Sequence, residues 1–357
     1  MIRQKSGRVK KRNSLNIQTS IYLTTYQRAC ILSDKPPAAD AIRSETCSDD
    51  PPFPFNETGN GRWVDGTTTL PTVSFLLQME VLFVMKVLCP VLKWIGGKTQ
   101  LLDPISNRMP KWIKRYFEPF VGGGAVLFRF QPKQAVVSDI NPQLINFYKQ
   151  LQMNLEDVIA ALELLNDHPA DKDMYLALRD RFNAKILSYE LDVECAALML
   201  WLNKHCFNGL YRTNRKGLFN AAYNNEAVKM DIDGVIAVAK YLQSADIVLR
   251  CCDFEDTIAD ADEGDFVYLD SPYIPEGGTA NFVRYTKGGF DLEDHKRLAK
   301  VFKELDAKGA FVMLSNNDVP LVHELYAGYN VEALTAKRLV NRDASKRIGH
   351  EVLITNY

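Results

Sequence analysis

The chain has 357 residues, 46% hydrophobic and 24% charged, with 43 Lys+Arg against 44 Asp+Glu. That is globular material for about two domains, or one large domain with additions, and not a polycation. The seven cysteines (30, 47, 89, 195, 206, 251, 252) form no C-x-x-C pair and have no histidines at zinc spacing, so disulfide and zinc frameworks are excluded and no metal is expected. The most apolar window, 73–92, is broken by Glu80, Lys86 and Pro90. It falls short of the roughly 20 apolar residues of a membrane span.

In chain order, the first stretch stands apart. Residues 1–33 carry seven Lys/Arg, six of them in the first 12 positions, and no acid. Residues 34–75 hold Pro36-Pro37, Pro51-Pro52 and Pro54 and no sustained period. This composition predicts disorder. Met85 stands directly before the first patterned segment, so 1–84 reads as a disordered or non-native extension. The basic start is compatible with a transit peptide, and Lys10-Lys11-Arg12 with a nuclear address. A nuclear or organellar location follows if the extension is genuine, and a cytoplasmic, nucleoid-associated one if the chain is bacterial.

From Met85 strands and helices alternate. Strands are expected over Tyr116–Val121 and Ala135–Asp139, and helices over 142–153, 155–165, 173–187 and 190–204. Residues 206–223, rich in Asn, Gly, Tyr and Arg, read as a hairpin or loop. Strand signals return at Ile247–Arg250, Phe266–Leu269, Ala310–Leu314, Tyr329–Leu334 and Glu351–Thr355, with helices near 291–307 and 319–327. Alternation on both sides of an all-helical stretch predicts an α/β sheet domain with a helical insertion.

Gly97-Lys98-Thr99 looks like the end of a phosphate loop, but the glycine required five residues earlier is Leu92, so no ATPase follows. More informative is the strand that runs into Gly122-Gly123-Gly124 and then a helix. Glycines there let a ligand approach the backbone. Asp139, at the end of the next strand and about 20 residues on, holds the position that bonds a ribose diol in nucleotide folds.

The decisive segment is Asp265-Phe266-Val267-Tyr268-Leu269-Asp270-Ser271-Pro272-Tyr273. A buried strand delivers a carboxylate and an aromatic ring to the carboxyl edge of the sheet, where ligands bind. A planar exocyclic amine is a poor nucleophile because its lone pair is delocalised. Two fixed acceptors, Asp270 and the Ser271 carbonyl, can take its N–H groups and draw the nitrogen toward a tetrahedral shape, while Tyr273 stacks on the ring. A base in a duplex must flip out to reach such a pocket.

Four segments then resemble one family: Lys93-Trp94-Ile95-Gly96-Gly97-Lys98, Phe117-Glu118-Pro119-Phe120-Val121-Gly122-Gly123-Gly124, Phe207-Asn208-Gly209-Leu210-Tyr211-Arg212 with Phe219-Asn220, and Asp270-Ser271-Pro272-Tyr273. Residues 88–357 are similar to the Dam-type (α-class, D12) S-adenosylmethionine-dependent DNA adenine-N6 methyltransferases. The resemblance implies a Rossmann-like methyltransferase sheet over 85–154 and 230–357, and a helical target-recognition insertion over 155–229 with a basic β-hairpin. It places Trp94, Lys98, Glu118, Phe120, Gly122, Gly124, Asp139, Asp253, Phe254 and Asp270 around S-adenosylmethionine, and Asp270, Ser271, Pro272 and Tyr273 around the target adenine. It implies double-stranded DNA as partner, with a GATC site in the family's manner, and a monomer without metal. Roles in restriction–modification, in DNA replication and in repair or gene control are all compatible with it.

The substrate side has separate support. Residues 195–225 contain no acid and four basic residues, Lys204, Arg212, Arg215 and Lys216. A second cluster comprises Lys337, Arg338, Arg342, Lys346 and Arg347. Such loops suit phosphate contact, and Arg212 suits bidentate guanine readout. The expected DNA-contacting set is Lys204, Asn208, Leu210, Arg212, Asn214, Lys216, Asn220, Arg338 and Lys346. Two departures stand out: Ser271 replaces the family's usual proline, and Ala221-Ala222 replaces its Val-Pro. Ser271 keeps open a weakly active or inactive homologue that binds DNA and cofactor, and Ala221-Ala222 leaves the exact recognition sequence open. An amino-methyltransferase acting on RNA or protein glutamine is the remaining alternative.

Overall fold

The computed structural model describes residues 87–168, 170–275, 289–337 and 348–357. All lie within the unit Val73–Tyr357. The extension 1–84 and the basic residues Arg338, Arg342, Lys346 and Arg347 lie outside the described residues, as does the side chain of Lys337.

The elements run α1 (Leu102–Arg108), β1 (Tyr116–Glu118), α2 (Ala125–Phe130), β2 (Gln134–Ser138), α3 (Pro142–Met153), α4 (Leu155–Asn166), α5 (Lys172–Ser188), α6 (Val193–His205), α7 (Ile232–Ser244), β3 (Asp246–Arg250), α8 (Phe254–Ile258), β4 (Phe266–Leu269), α9 (Leu292–Ala307), β5 (Phe311–Asn317), α10 (Pro320–Leu325), β6 (Asn330–Lys337) and β7 (Ile348–Thr355). The seven strands lie in the order β3-β2-β1-β4-β5-β7-β6. The first five in that order pair in parallel, and β7 is antiparallel to both β5 and β6. Strand order reverses between β1 and β4, which makes their carboxyl ends the crevice where a ligand fits.

Strand alternation divides the core into two layers. Tyr116, Ala135, Val137, Phe266, Tyr268 and Met313 face one side with α3, α4, α6 and α7. Phe117, Val136, Val267, Leu269, Val312 and Leu314 face the other with α8, α9 and α10. Phe266–Leu269 is buried at every position, as a parallel strand covered on both faces must be. Helix α6 is buried all round from Cys195 to Leu202, so it forms the centre of the helical layer rather than its surface. Its buried Asn203 and His205 are both hydrogen-bonded.

Boundaries of the predicted elements shift for local reasons. The strand expected over Tyr116–Val121 stops at Glu118 because Pro119 has no N–H for the ladder. The helix expected over 190–204 begins at Val193, since Asp192 caps it by accepting from Cys195 N–H. Helices α1, α7 and α8 were not anticipated. For α7 the signal was present: Asp231 caps its start, and Val235, Val238, Ala239 and Leu242 form its buried face.

The turn between β1 and α2 also answers to packing within the protein. Gly122 and Gly124 hold φ of +46° and +73°. A Cβ on Gly122 would lie 2.7 Å from Trp94 Cδ1, and one on Gly124 2.5 Å from Phe128 Cε2. On the Cβ side these two positions face the protein's own rings, so glycine is demanded there by backbone conformation and packing. Gly124→Ala should lower the unfolding free energy by about 1–3 kcal/mol, measured as a drop in the urea midpoint at unchanged slope.

Candidate active site

Strand β4 ends by presenting Asp270 to the crevice. Lys98 Nζ lies 2.7 Å from Asp270 Oδ1, and Ser315 Oγ donates to the same oxygen at 3.0 Å. Oδ2 has no hydrogen-bond partner among the described residues. The Ser271 carbonyl and N–H are likewise unbonded there. Ser271 Oγ is buried without a partner, and so is Asn316 Nδ2. Unsatisfied buried groups are rare and costly, and their clustering marks a site built for something other than stability. Pro272 is exposed and Tyr273 half-buried. Burial raises the Asp270 pKa against the opposing pull of Lys98 and Ser315.

Lys98 is itself buried and donates to the Gly96 carbonyl at 2.6 Å. Its ammonium also stands 4.7 Å from the centre of the Tyr273 ring. The Tyr273 hydroxyl donates to Glu351 Oε2 at 2.8 Å, which ties it to β7. Nearby, Glu118 is buried and accepts from the Tyr116 hydroxyl at 2.9 Å. Burial pushes the Glu118 carboxyl up to about 8.

The residues assigned to the cofactor line the adjoining strand ends. Asp139 follows β2 and accepts from Gly122 N–H at 3.2 Å and Asn141 N–H at 2.9 Å. Asp253 caps α8 just past β3, accepting from Glu255 N–H and from Arg297 at 2.7 Å. Phe120 stacks with Phe254, ring centres 5.6 Å apart, and Phe290 meets both rings. The Arg297 guanidinium covers Phe254 at 4.6 Å. This donor set, two half-buried carboxylates beside an aromatic wall, fits a ligand that carries a diol, a flat base and a cationic centre.

The 206–223 segment forms the expected hairpin, with bridges Cys206↔Tyr223 and Thr213↔Phe219. Arg212 Nε and Nη2 donate to Asn220 Oδ1 and O, each at 2.9 Å, while Nη1 has no partner among the described residues. Asn214 Oδ1 accepts from Lys216 and Leu218 N–H, shaping the tip. Asn208, Arg212, Asn214 and Lys216 are exposed, and Lys204, Leu210 and Asn220 half-buried. Burial lowers the Lys204 pKa. Helix α5 holds the hairpin from beneath, where Asn183 bonds both N–H and carbonyl of Phe219 and the Tyr175 hydroxyl bonds Ala221 O.

Trp94 links hairpin and sheet. It stacks on Tyr211 at 5.1 Å, and Asn203 bonds the N–H and carbonyl of Lys93 together with the Gly209 carbonyl. Sequence reasoning did not single out Asn203, Arg297, Ser315, Asn316, Asn317 or Glu351, and it quoted Tyr211 only as part of the hairpin motif. Only Ser315-Asn316-Asn317 carried a signal, as three polar residues that close an apolar strand.

Residues 94–340 match the family described as D12 class N6 adenine-specific DNA methyltransferase. The chain is 41% identical over 274 residues to the type II methyltransferase M1.LlaDCHI of Lactococcus lactis subsp. cremoris, covering 75% of this chain and 95% of that one. It is 40% identical over 289 residues to the type II methyltransferase M.MjaIII of Methanocaldococcus jannaschii, covering 75% and 99%. A DNA adenine methylase of Escherichia coli is 31% identical over 268 residues, 74% of this chain and 94% of that one. The chain belongs to the D12 class of N6 adenine-specific DNA methyltransferases. It is accordingly an enzyme that methylates adenine in DNA at N6, on a Rossmann-like sheet. Enzymes of this class use S-adenosylmethionine. Among the described residues no group of His, Cys, Asp and Glu could hold a metal ion, and no helix is long and apolar enough to cross a membrane.

Glu118 makes a pH prediction. Its folded pKa of about 8 lies above the ordinary value of 4.5, so the native state keeps a proton that the unfolded chain loses between them. The stabilisation is complete below pH 4.5 and is lost as pH rises through about 8. Glu118→Gln cannot ionise and should flatten that fall, seen as a shallower decline of melting temperature with pH across this interval. An unchanged slope would show that Glu118 is not the responsible group.

Proposed function

We propose that this chain binds S-adenosylmethionine at the strand ends around Asp139 and Asp253 and holds a flipped adenine between Asp270 and Tyr273. The observation that carries the reading is the division of labour on Asp270. Lys98 and Ser315 occupy Oδ1, while Oδ2 and the Ser271 carbonyl stand unused. Those are the two acceptors that an exocyclic amine needs. Each takes one N–H, and the nitrogen lone pair leaves conjugation as the amine turns pyramidal.

In this reading Asp139 takes the ribose hydroxyls, Asp253 and Phe254 the cofactor's adenine, and Phe120, Trp94 and the glycine turn the methionine part. Glu118, whose carboxyl burial pushes up to about 8, gains reason to ionise beside a cationic ligand. The cofactor supplies a methyl group already activated on a sulfonium. The protein's share is to orient the amine in line with it, which is chiefly an entropic service. Asp270 need not be a strong base, because the nitrogen becomes acidic only as it gains the methyl. Lys98 stands over the Tyr273 ring, and in this reading the target base stacks on that tyrosine.

The 155–229 unit serves as the target-recognition part, with Arg212 reading guanine through its unpaired side. Leu210, Asn208 and Asn220 complete the base-contacting surface, and Lys204, Asn214 and Lys216, with Arg338 and Lys346, contact phosphates. GATC is the proposed site, read by a monomer in the cytoplasm of a bacterial cell.

The test is transfer of labelled methyl from S-adenosylmethionine to unmethylated duplexes with and without GATC. Label should appear on the GATC duplex alone, and Asp270→Ala should cut turnover on the order of a hundredfold. Label on both duplexes would remove the GATC assignment, and label on neither would favour a binding protein with little activity. Arg212→Ala should erode discrimination at the guanine by about 1–3 kcal/mol, read as kcat/KM ratios across single-base variants. Ser271→Pro sacrifices no backbone hydrogen bond and removes a buried unpaired hydroxyl. It should raise turnover by fixing φ, and an equal or lower kcat would count against Asp270 and Ser271 as paired acceptors.

A further inference from the structure

Three consecutive residues of β5 grip the segment that follows β4. Ser315 Oγ donates to Asp270 Oδ1, and the Tyr268 hydroxyl lies 3.0 Å from Ser315 Oγ. Since the Ser315 proton is committed to the carboxylate, Tyr268 must donate to Ser315, giving a directed chain from Tyr268 through Ser315 to Asp270. Asn316 Oδ1 accepts the Ile274 N–H at 2.9 Å, and Asn317 Nδ2 donates to the Ile274 carbonyl at 2.6 Å. Between these ends, Glu351 of β7 holds the Tyr273 hydroxyl.

The segment is thus tied at Asp270, Tyr273 and Ile274. Its middle is loose by comparison, because Ser271 makes no hydrogen bond through N–H, carbonyl or hydroxyl among the described residues. Serine also leaves φ free, where proline would lock it. Strand alternation sends Asn316 to the opposite face from Ser315 and Asn317, so the grip comes from both sides of the sheet.

These residues are an odd ending for a core strand. Val312, Met313 and Leu314 are fully buried and apolar, and Ser315, Asn316 and Asn317 are buried almost as deeply. Burying three polar side chains in a row is unfavourable unless each is paired, and even so Asn316 Nδ2 remains unpaired. Hydrophobic residues would serve the sheet at least as well. What the polar run does that they could not is fix the position of the Asp270 carboxylate and the run of chain to Ile274.

We infer that Ser315, Asn316 and Asn317 form a brace that holds Asp270 and the Ser271 carbonyl at the spacing the target amine requires, with Ser315 as the positioning residue for the carboxylate. The inference rests on the reading of Asp270–Tyr273 as the adenine-holding segment. A brace of this kind matters only while the segment can move. Stiffening the segment from within must therefore make the brace less necessary, which a merely structural role would not predict.

The experiment is a double-mutant cycle on the full chain: Ser315→Ala and Ser271→Pro, singly and together. Steady-state kcat and KM for a duplex substrate are measured, and flipping is followed with 2-aminopurine at the target position. Ser315→Ala should lower kcat about tenfold with KM changed less than about twofold and the 2-aminopurine signal retained. In the Ser271→Pro background the same substitution should cost about threefold or less. Equal losses in both backgrounds, or a loss carried by KM, would overturn the brace alone. Asn317→Ala, which touches Ile274 and not Asp270, goes through the same cycle. It decides the matter if Ser315→Ala melts below assay temperature, a smaller loss in the proline background supporting the brace and an equal one overturning it. Asp270→Ala is run alongside, and methylation surviving it would overturn both the brace and the adenine-holding assignment.

Discussion

The buried contact between Lys98 and Asp270 organises everything around it. Lys98 arrives from the segment before α1 and Asp270 from the end of β4, so the pair fastens two parts of the chain about 170 residues apart in sequence at the carboxyl edge of the sheet. Neither charge could be buried singly without a cost of several kcal/mol, and together they are tolerated because Gly96 and Ser315 satisfy the remaining geometry. The pairing also consumes one carboxylate oxygen and spares the other. A group that would otherwise be a liability becomes an acceptor with a fixed direction.

That arrangement ties the basic hairpin to the carboxylate at the end of β4 through a single short stretch of backbone. Lys93, Trp94 and Lys98 sit within six residues of one another. Lys93 is clamped by Asn203 from the helical layer, Trp94 stacks on Tyr211 of the hairpin, and Lys98 reaches Asp270. Anything that shifts the hairpin bears on the same stretch that orients the carboxylate. The glycine turn shares in this, since Gly122 is shaped to receive Trp94. Under the proposed roles, with the hairpin reading the target and Asp270 holding the amine, such short coupling keeps the two from drifting apart.

Much of the fold was legible because parallel and helical segments impose different periods. Phe266–Leu269 reads as a continuous apolar run and is buried at every position, and α3 and α4 begin where Pro142 and Leu155 were expected to start them. The failures were local. Short helices such as α1 and α8 offer too few turns for a period to emerge, and α7 was overlooked although its apolar face was there. Near the site, Asp139 and Asp270 were legible as acids closing apolar strands, while Phe120, Asp253 and Phe254 were named only through the family resemblance. Ser315, Glu351 and Asn203 were not legible, because each acts on a partner at least 45 residues away in sequence.

By itself the sequence determined the alternation of strands and helices, the carboxylate at the end of β4, the glycine turn and the acid-free hairpin. These follow from local constraints: side-chain period, backbone freedom at glycine, and charge. Only the tertiary structure decided which oxygen of Asp270 is engaged, that the glycines accommodate the protein's own rings, and that β5 grips the chain beyond β4 from both faces. Those are relations between distant segments. Hydrogen-bond direction and packing exist only once the strands lie side by side, and no spacing along the chain encodes them.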